Sequence, residues 1–153
     1  MGFLSVCRPA PASVLPSPAP VTAPKAQRTI ESWCAELKEA VTRLKWKVDP
    51  CAGVDWKVGG YSIEGRPIVY AEFGNPDAEN TTLIFSAVHG DEITPVYLGL
   101  RLALWTKDDL AKGNPKEKDR VRVVVAPLVN PDGFFRKPRT RMNSRGVDVN
   151  RNF

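Results

Sequence analysis

The stretch AVHGDEITPV contains His89, the only histidine of the 153 residues, followed three positions later by Glu92. A neutral imidazole nitrogen and a carboxylate oxygen are two of the donor types that zinc accepts in hydrolytic sites. Where a tight loop turns into a helix, positions i and i+3 can project towards one point. The pair therefore qualifies as two ligands of a metal site, but this spacing is common by chance and needs support from other segments.

Positive charge is concentrated near the end of the chain. The formal net charge is +5, and within residues 120–153 the acidic residues are only Asp132 and Asp148. The planar fork of arginine matches a carboxylate with two parallel hydrogen bonds, which favours a small carboxylate as the bound anion. No recognition-helix pattern or RNP-like aromatic motif points to nucleic acid. The basic residues of this segment are Arg120, Arg122, Arg136, Lys137, Arg139, Arg141, Arg145 and Arg151.

The first elements that would position these side chains are a helix and a hairpin. Thr29 suits the N-cap of a helix, because apolar residues recur at helical spacing over residues 30–44, and this helix is expected to end within residues 47–50. Two alternating runs, residues 57–63 and 67–73, flank the dipeptide EG and predict a β-hairpin.

Two nearly continuous apolar runs predict buried strands. TTLIFSAV leads into HGDE, and RVRVVVAPLV leads into the turn sequence NPDG; ITPVYLGLRLALWTK between them predicts a helix with Thr94 and Pro95 in its first turn. This order predicts an α/β sheet with a crossover, in which ligands bind at the carboxyl ends of the strands. If the two strands are parallel neighbours, His89, Glu92 and Asn130 share one edge of the sheet.

Three motifs in a fixed order carry a resemblance to a known family. HGDE, then NPDG, then the segment R-x-N-x-x-G-V-D-V-N-R-N-F resemble the zinc metallocarboxypeptidase family, and are most similar to its bacterial branch containing murein tripeptide amidases. The resemblance covers roughly Val54 to Phe153. It implies an α/β fold of the zinc carboxypeptidase type, three-layer α/β/α with a mixed sheet, whose C-terminal half is missing from these residues.

The resemblance implies a zinc ion bound by His89 and Glu92, with Asp148 behind His89 accepting its second ring N–H. A carboxylate in that position fixes the tautomer of a ligand histidine and raises its basicity. The family's third ligand, a histidine, and its general base, a glutamate, lie further along the chain than Phe153. We therefore expect the 153 residues to be the N-terminal part of a longer enzyme, inactive by themselves.

The resemblance also assigns the substrate contacts. Asn150 and Arg151 would hold the free carboxylate of the substrate. Arg141 would be the catalytic residue that polarises the scissile carbonyl, because a fixed cation stabilises the charge that develops on that oxygen. Arg139, two residues earlier, is the alternative to Arg141.

Other polar residues near the motifs are interpreted as structural. Asn130 is expected to place its loop, and Asp132 and Gly133 are expected to form a turn without a chemical role. The basic residues Arg136, Lys137 and Arg145 are interpreted as surface charges.

The implied activity is zinc-dependent hydrolysis of a peptide bond next to a free carboxylate, with a peptide or a murein peptide as the substrate partner. In the murein case the bond joins γ-D-glutamate to diaminopimelate, and ordinary C-terminal trimming is the near alternative. A non-catalytic carboxylate-binding module is a hypothesis from another class. An N-acyl amino acid deacylase shares the HxxE pair but is disfavoured by the segment GVDVNRNF.

The domain boundaries follow composition. Residues 1–27 hold six of the fourteen prolines and almost no charge, which predicts a flexible tail, followed by the helical region 28–50 and the catalytic-domain part 51–153.

The cysteines and the hydropathy bear on location. Cys7, Cys34 and Cys51 are too few and too irregular for a disulfide framework, and Cys34 is interpreted as a small core residue. No apolar run approaches the roughly 20 residues of a transmembrane helix. A cytoplasmic location is expected, with the cell envelope as the alternative if the N-terminus is truncated.

Overall fold

Helix α1 (Ile30–Arg43) opens the structure, a computed structural model that describes residues 25–114 and 119–151. The Thr29 hydroxyl accepts a hydrogen bond of 3.2 Å from the backbone N–H of Ser32, so the predicted N-cap is confirmed. The helix ends earlier than predicted, because Lys45 has a left-handed backbone with a φ of 56°. Most of the predicted tail, residues 1–24, lies outside the described residues.

The sheet is mixed, as predicted. Its strand order is β1-β2-β4-β3, in which the hairpin pair β1–β2 and the pair β2–β4 are antiparallel and β3–β4 is parallel. The remaining elements are β1 (Lys57–Tyr61), β2 (Pro67–Gly74), β3 (Asn80–Phe85), α2 (Ile93–Lys112), β4 (Val121–Ala126) and α3 (Pro131–Phe135).

Strand β3 is an edge strand in the described part of the chain, and the prediction of a buried central strand is wrong here. It stands last in the strand order, and Leu83 and Phe85 are 55% and 60% exposed. Its apolar composition is that of a strand covered on both faces, but within residues 25–114 and 119–151 no strand lies beyond β3, and Ile84 is its one residue packed against the core. The same prediction of a buried strand is confirmed for β4, whose second half is buried.

The core lies between the helices and one face of the sheet. Helices α1 and α2 both contribute buried residues to a single cluster that includes Val69, Ala71 and Val125 from the strands. The described residues thus supply two of the three expected layers. Neither long helix among them has the length and apolar content needed to cross a membrane.

The sequence NPDG begins a short helix instead of forming only a turn. The Asn130 side chain caps α3 by accepting a hydrogen bond of 3.0 Å from the Gly133 N–H. Asp132 is buried and accepts hydrogen bonds from Ser62 Oγ (2.7 Å) and Arg66 Nη1 (3.0 Å). Asp132 is therefore more than a turn former, because it links α3 to the turn of the hairpin.

Cys34 forms a disulfide with Cys51, which corrects its interpretation as a free core residue. The bond joins α1 to the segment that precedes β1, across a sequence separation of 17 residues. The sequence analysis expected no disulfide, because spacing alone does not show which cysteines lie close together in the fold.

Replacing both Cys34 and Cys51 with serine is expected to lower the free energy of unfolding by about 3 kcal/mol, since a loop of this length is no longer closed in the unfolded chain. Urea denaturation of the oxidised protein and the double variant measures this difference. Cys7→Ser is the matched control, and equal stabilities of all three proteins would contradict the prediction.

Candidate active site

The parallel pairing of β3 and β4 brings the two sequence motifs to one edge of the sheet, as predicted. The pairing continues past the strand ends, where the Val129 N–H donates to Ser86 O (3.0 Å) and the Asn130 N–H donates to Ala87 O (3.1 Å). The HGDE loop therefore runs beside the start of α3.

Gly90 allows these two loops to touch. A Cβ placed on Gly90 would lie 2.2 Å from the backbone carbonyl carbon of Gly133 and 2.3 Å from the backbone nitrogen of Phe134. A side chain at this position would force backbone apart, and so glycine is required by the contact between the motifs.

Gly90→Ala is expected to destabilise the fold by about 1–3 kcal/mol or more, because rigid backbone atoms occupy the space of the added methyl group. Gly60→Ala is the matched control, since a Cβ there meets nothing within 4 Å, and its effect is expected to be close to zero. Thermal denaturation of both variants checks the difference. A Gly90 variant as stable as the Gly60 variant would show that the loops do not meet in this way.

His89 is held between two carboxylates. It is 6% exposed; its Nδ1 lies 2.9 Å from Glu92 Oε1, and its Nε2 lies 3.1 Å from Asp148 Oδ1. Glu92 occupies the N-cap of α2 but makes no side-chain capping bond, so its carboxylate is free to face His89. The structure therefore brings together the three residues assigned to the zinc site.

Arg141 closes this cluster on its other side. Its Nε donates to Asp148 Oδ2 at 2.7 Å, and its Nη1 lies 3.4 Å from Glu92 Oε1. The Arg141 hydrogen bond, followed by those from Asn150 N–H and His89, lowers the pKa of Asp148 to about 2. The same pairing raises the pKa of Arg141. Asp148 therefore stays ionised at neutral pH and orients both neighbours.

Because the pKa of Asp148 is about 2 in the folded protein and 3.8 ordinarily, its contribution to stability is present above about pH 4. That contribution is expected to be lost as the pH falls from 4 towards 2. A carbon-13 NMR titration of the Asp148 carboxyl group checks the prediction. A midpoint near 4 would show that the contact with Arg141 is not formed.

The segment between Arg141 and Asp148 is a tight loop built by two residues that the sequence analysis did not assign. Asn143 Oδ1 accepts from the backbone N–H groups of Arg145 (2.9 Å) and Val147 (3.0 Å), and Gly146 has a φ of 74°. The sequence signal that could have identified Asn143 and Gly146 is their position in the pattern R-x-N-x-x-G-V-D. Together they set the distance between the two charged residues.

Asn130 fixes the start of the same loop. Its Nδ2 donates to the backbone oxygens of Arg141 (3.3 Å) and Met142 (3.2 Å) while its Oδ1 caps α3. The structural role predicted for Asn130 is confirmed.

One open cleft of about 590 Å³ contains the predicted site. Asn150 and Arg151 are exposed at its wall, and the Arg151 Nη1 donates to Asn150 O at 2.7 Å. Arg139 does not line this cleft; its guanidinium lies 4.8 Å from the ring centroid of Phe134. The geometry thus favours Arg141 over Arg139. Five predicted site residues line the cleft: His89, Glu92, Arg141, Asn150 and Arg151.

The donor set fits zinc in part. If His89 Nε2 carries the proton and donates to Asp148, then Nδ1 and Glu92 Oε1 are two acceptors 2.9 Å apart, an arrangement that a cation between them stabilises. Within the ranges 25–114 and 119–151, no group of three or more His, Cys, Asp or Glu side chains is placed to bind a metal. The cleft thus offers two ligands of the usual three.

The α/β sheet thus places a histidine, a glutamate and two arginines together at its carboxyl edge, where open α/β sheets bind their ligands. The sequence pattern of the zinc carboxypeptidase family, Peptidase_M14, matches residues 49–153. The chain belongs to this family.

The chain is similar to the following proteins. Carboxypeptidase SOL1 of Arabidopsis thaliana is 36% identical over 100 residues, which are 61% of this chain and 20% of that protein. The structure of carboxypeptidase A from Helicoverpa armigera shares the fold with a TM-score of 0.57 at 23% identity, over 83% of this chain and 34% of that one. A metallo-carboxypeptidase from Burkholderia cenocepacia has a TM-score of 0.49 and 28% identity over 82% of this chain and 32% of its own. The chain thus spans about one fifth to one third of these proteins.

Proposed function

We propose that the protein containing this chain hydrolyses a peptide bond next to a free carboxylate with the help of zinc. The observation that carries the proposal is the single cleft that collects His89, Glu92, Arg141 and Arg151. His89 and Glu92 would hold the zinc ion, which when bound supplies Lewis acidity at the scissile carbonyl.

The residues of this chain would bind the substrate and stabilise charge in the proposed reaction. Arg151 and Asn150, exposed at the cleft wall, would bind the substrate carboxylate through charge-assisted hydrogen bonds. Arg141 would stabilise negative charge on the carbonyl oxygen, because Asp148 holds its Nε and so restricts its movement. The residues of the cleft named in this proposal include neither a general base nor a third zinc ligand.

C-terminal trimming of peptides is the preferred reaction within this proposal, since the curated relative is a carboxypeptidase. The murein tripeptide reaction, which releases diaminopimelate, is the alternative suggested by the motifs HGDE and R-x-N-x-x-G-V-D. The two reactions share the carboxylate contact at Arg151 and differ in the bond that is cleaved.

The proposed location is an oxidising compartment, which favours the cell envelope or the secretory route over the cytoplasm. The supporting observation is the Cys34–Cys51 disulfide, because disulfides persist where thiols are not kept reduced. Mass spectrometry of alkylated protein from its native cells tests this: alkylation of both cysteines without prior reduction would contradict it.

The test of function uses the longest reading frame that contains these 153 residues, expressed with zinc. Substrates are a peptide with a free C-terminus, its amide and a murein tripeptide. Cleavage of the free acid, loss of cleavage with chelator, and a rate reduced about 100-fold or more by Arg141→Ala support the proposal.

Other outcomes decide among the alternatives. Cleavage of the murein tripeptide alone assigns the amidase reaction. Binding of the free acid without hydrolysis assigns a carboxylate-binding module, and hydrolysis of an N-acyl amino acid assigns a deacylase. Either of the last two results overturns the proposed peptidase function.

A further inference from the structure

A second cavity lies apart from the cleft of His89. Its volume is about 300 Å³, and its walls are Arg43 and Leu44, at the C-terminal end of α1, and residues 134–139, which end α3 and continue past it. The two cavities share no lining residue, and so the proposed hydrolysis does not account for the second one. We call it the RKPR cavity, after residues 136–139.

The RKPR cavity is lined by cations and lacks an acidic wall residue. Arg43, Arg136, Lys137 and Arg139 all line it. The acidic contact of Arg43 is Glu39 at 3.7 Å, a surface pair on α1. Within residues 25–114 and 119–151, the other three side chains have no ion-pair partner. The positive charge of the cavity wall therefore favours an anion as its ligand.

Arg139 is the most constrained of these cations. Its guanidinium stacks on Phe134, and its Nε is buried without a hydrogen-bond partner in the described part of the chain. Burial, together with the nearby charge of Arg43, lowers the pKa of Arg139. A bound anion would relieve the repulsion between Arg43 and Arg139.

The remaining wall is apolar. The other lining residues are Leu44, Phe134, Phe135 and Pro138. A fully solvated inorganic ion would not use this surface, whereas an aromatic or branched aliphatic group would bury it. The volume is at the lower end of the range for small-molecule sites, roughly 300 Å³ or more.

We propose that the RKPR cavity binds a small organic anion, in which a phosphate or carboxylate group is joined to an aromatic or branched aliphatic body. The guanidinium groups of Arg136 and Arg139 bind the anionic group, and Phe134, Leu44 and Pro138 contact the body. In this proposal Arg136, Lys137 and Arg139 contribute to ligand binding, whereas a solvated surface charge contacts only water.

The test is an NMR titration of the chain with phenyl phosphate, compared with inorganic phosphate and with phenol. Phenyl phosphate is expected to bind more tightly than either fragment and to shift the resonances of Leu44, Phe134 and Phe135. Arg139→Gln is expected to weaken binding roughly tenfold or more, the effect of losing a charge-assisted hydrogen bond. Arg101→Gln, which removes an exposed cation from α2, is the matched control and is expected to have no effect.

A double variant keeps the test decisive if Arg139→Gln does not fold. Arg136→Gln with Lys137→Gln changes only exposed side chains and is expected to weaken phenyl phosphate binding by a similar factor. Binding of acetyl-Asp-Phe-amide at the same resonances, more tightly than phenyl phosphate, would support the site and identify an acidic peptide as the source. Equal binding of inorganic phosphate, shifts confined to the His89 cleft, or unchanged affinity in both variants would overturn the proposal.

Discussion

His89→Ala is expected to abolish saturable zinc binding by the chain. The wild-type chain is itself expected to bind zinc weakly, because His89 and Glu92 are two ligands where zinc sites in proteins use three or four. His89 is the only histidine, so the variant cannot recruit another imidazole from these 153 residues. Calorimetric titration with zinc at neutral pH measures both proteins.

Two further variants separate a zinc site from general attraction of cations to acidic groups. Asp148→Asn is expected to weaken zinc binding about 10- to 100-fold, since Asp148 orients the ring of His89 without being assigned as a ligand. Asp91→Asn, which neutralises an exposed carboxylate in the same loop, is the matched control and is expected to have little effect. Tight stoichiometric binding that survives His89→Ala would remove His89 from the metal site.

Arg151→Ala is expected to weaken binding of acetyl-Ala-Phe with a free carboxylate roughly 10- to 150-fold, the equivalent of about 1.5–3 kcal/mol for a charge-assisted hydrogen bond. The amidated dipeptide lacks the charge and is expected to change by less than about twofold. Arg151 is exposed at the wall of the His89 cleft, so its truncation removes a charge without opening the core.

NMR titration with both dipeptides, in excess zinc, compares the wild type with the variant. Arg145→Ala is the matched control, because Arg145 is an exposed arginine of the same segment that does not line the cleft. Equal losses for the acid and the amide would place Arg151 outside the carboxylate site. Equal losses in the Arg145 variant would indicate a general effect of net charge.

Local structure was largely determined by the sequence itself. The N-cap at Thr29, the hairpin and helix α2 follow from hydrogen-bonding side chains and apolar periodicity within a few residues. The ordered motifs also identified the residues that meet at the cleft, because family patterns retain the chemistry of a site even when its segments are far apart. The meeting of His89 and Asp148 was anticipated in this way.

The tertiary structure decided which distant groups meet. Three contacts depend on distances that spacing along the chain does not encode: the Cys34–Cys51 bond, the link between Asp132 and Arg66, and the hydrogen bond from Arg141 to Asp148. Strand β3 shows the same limit: its apolar composition predicts burial, but burial depends on which elements lie beside it. Periodicity describes the faces of an element, whereas packing between elements sets what each face contacts.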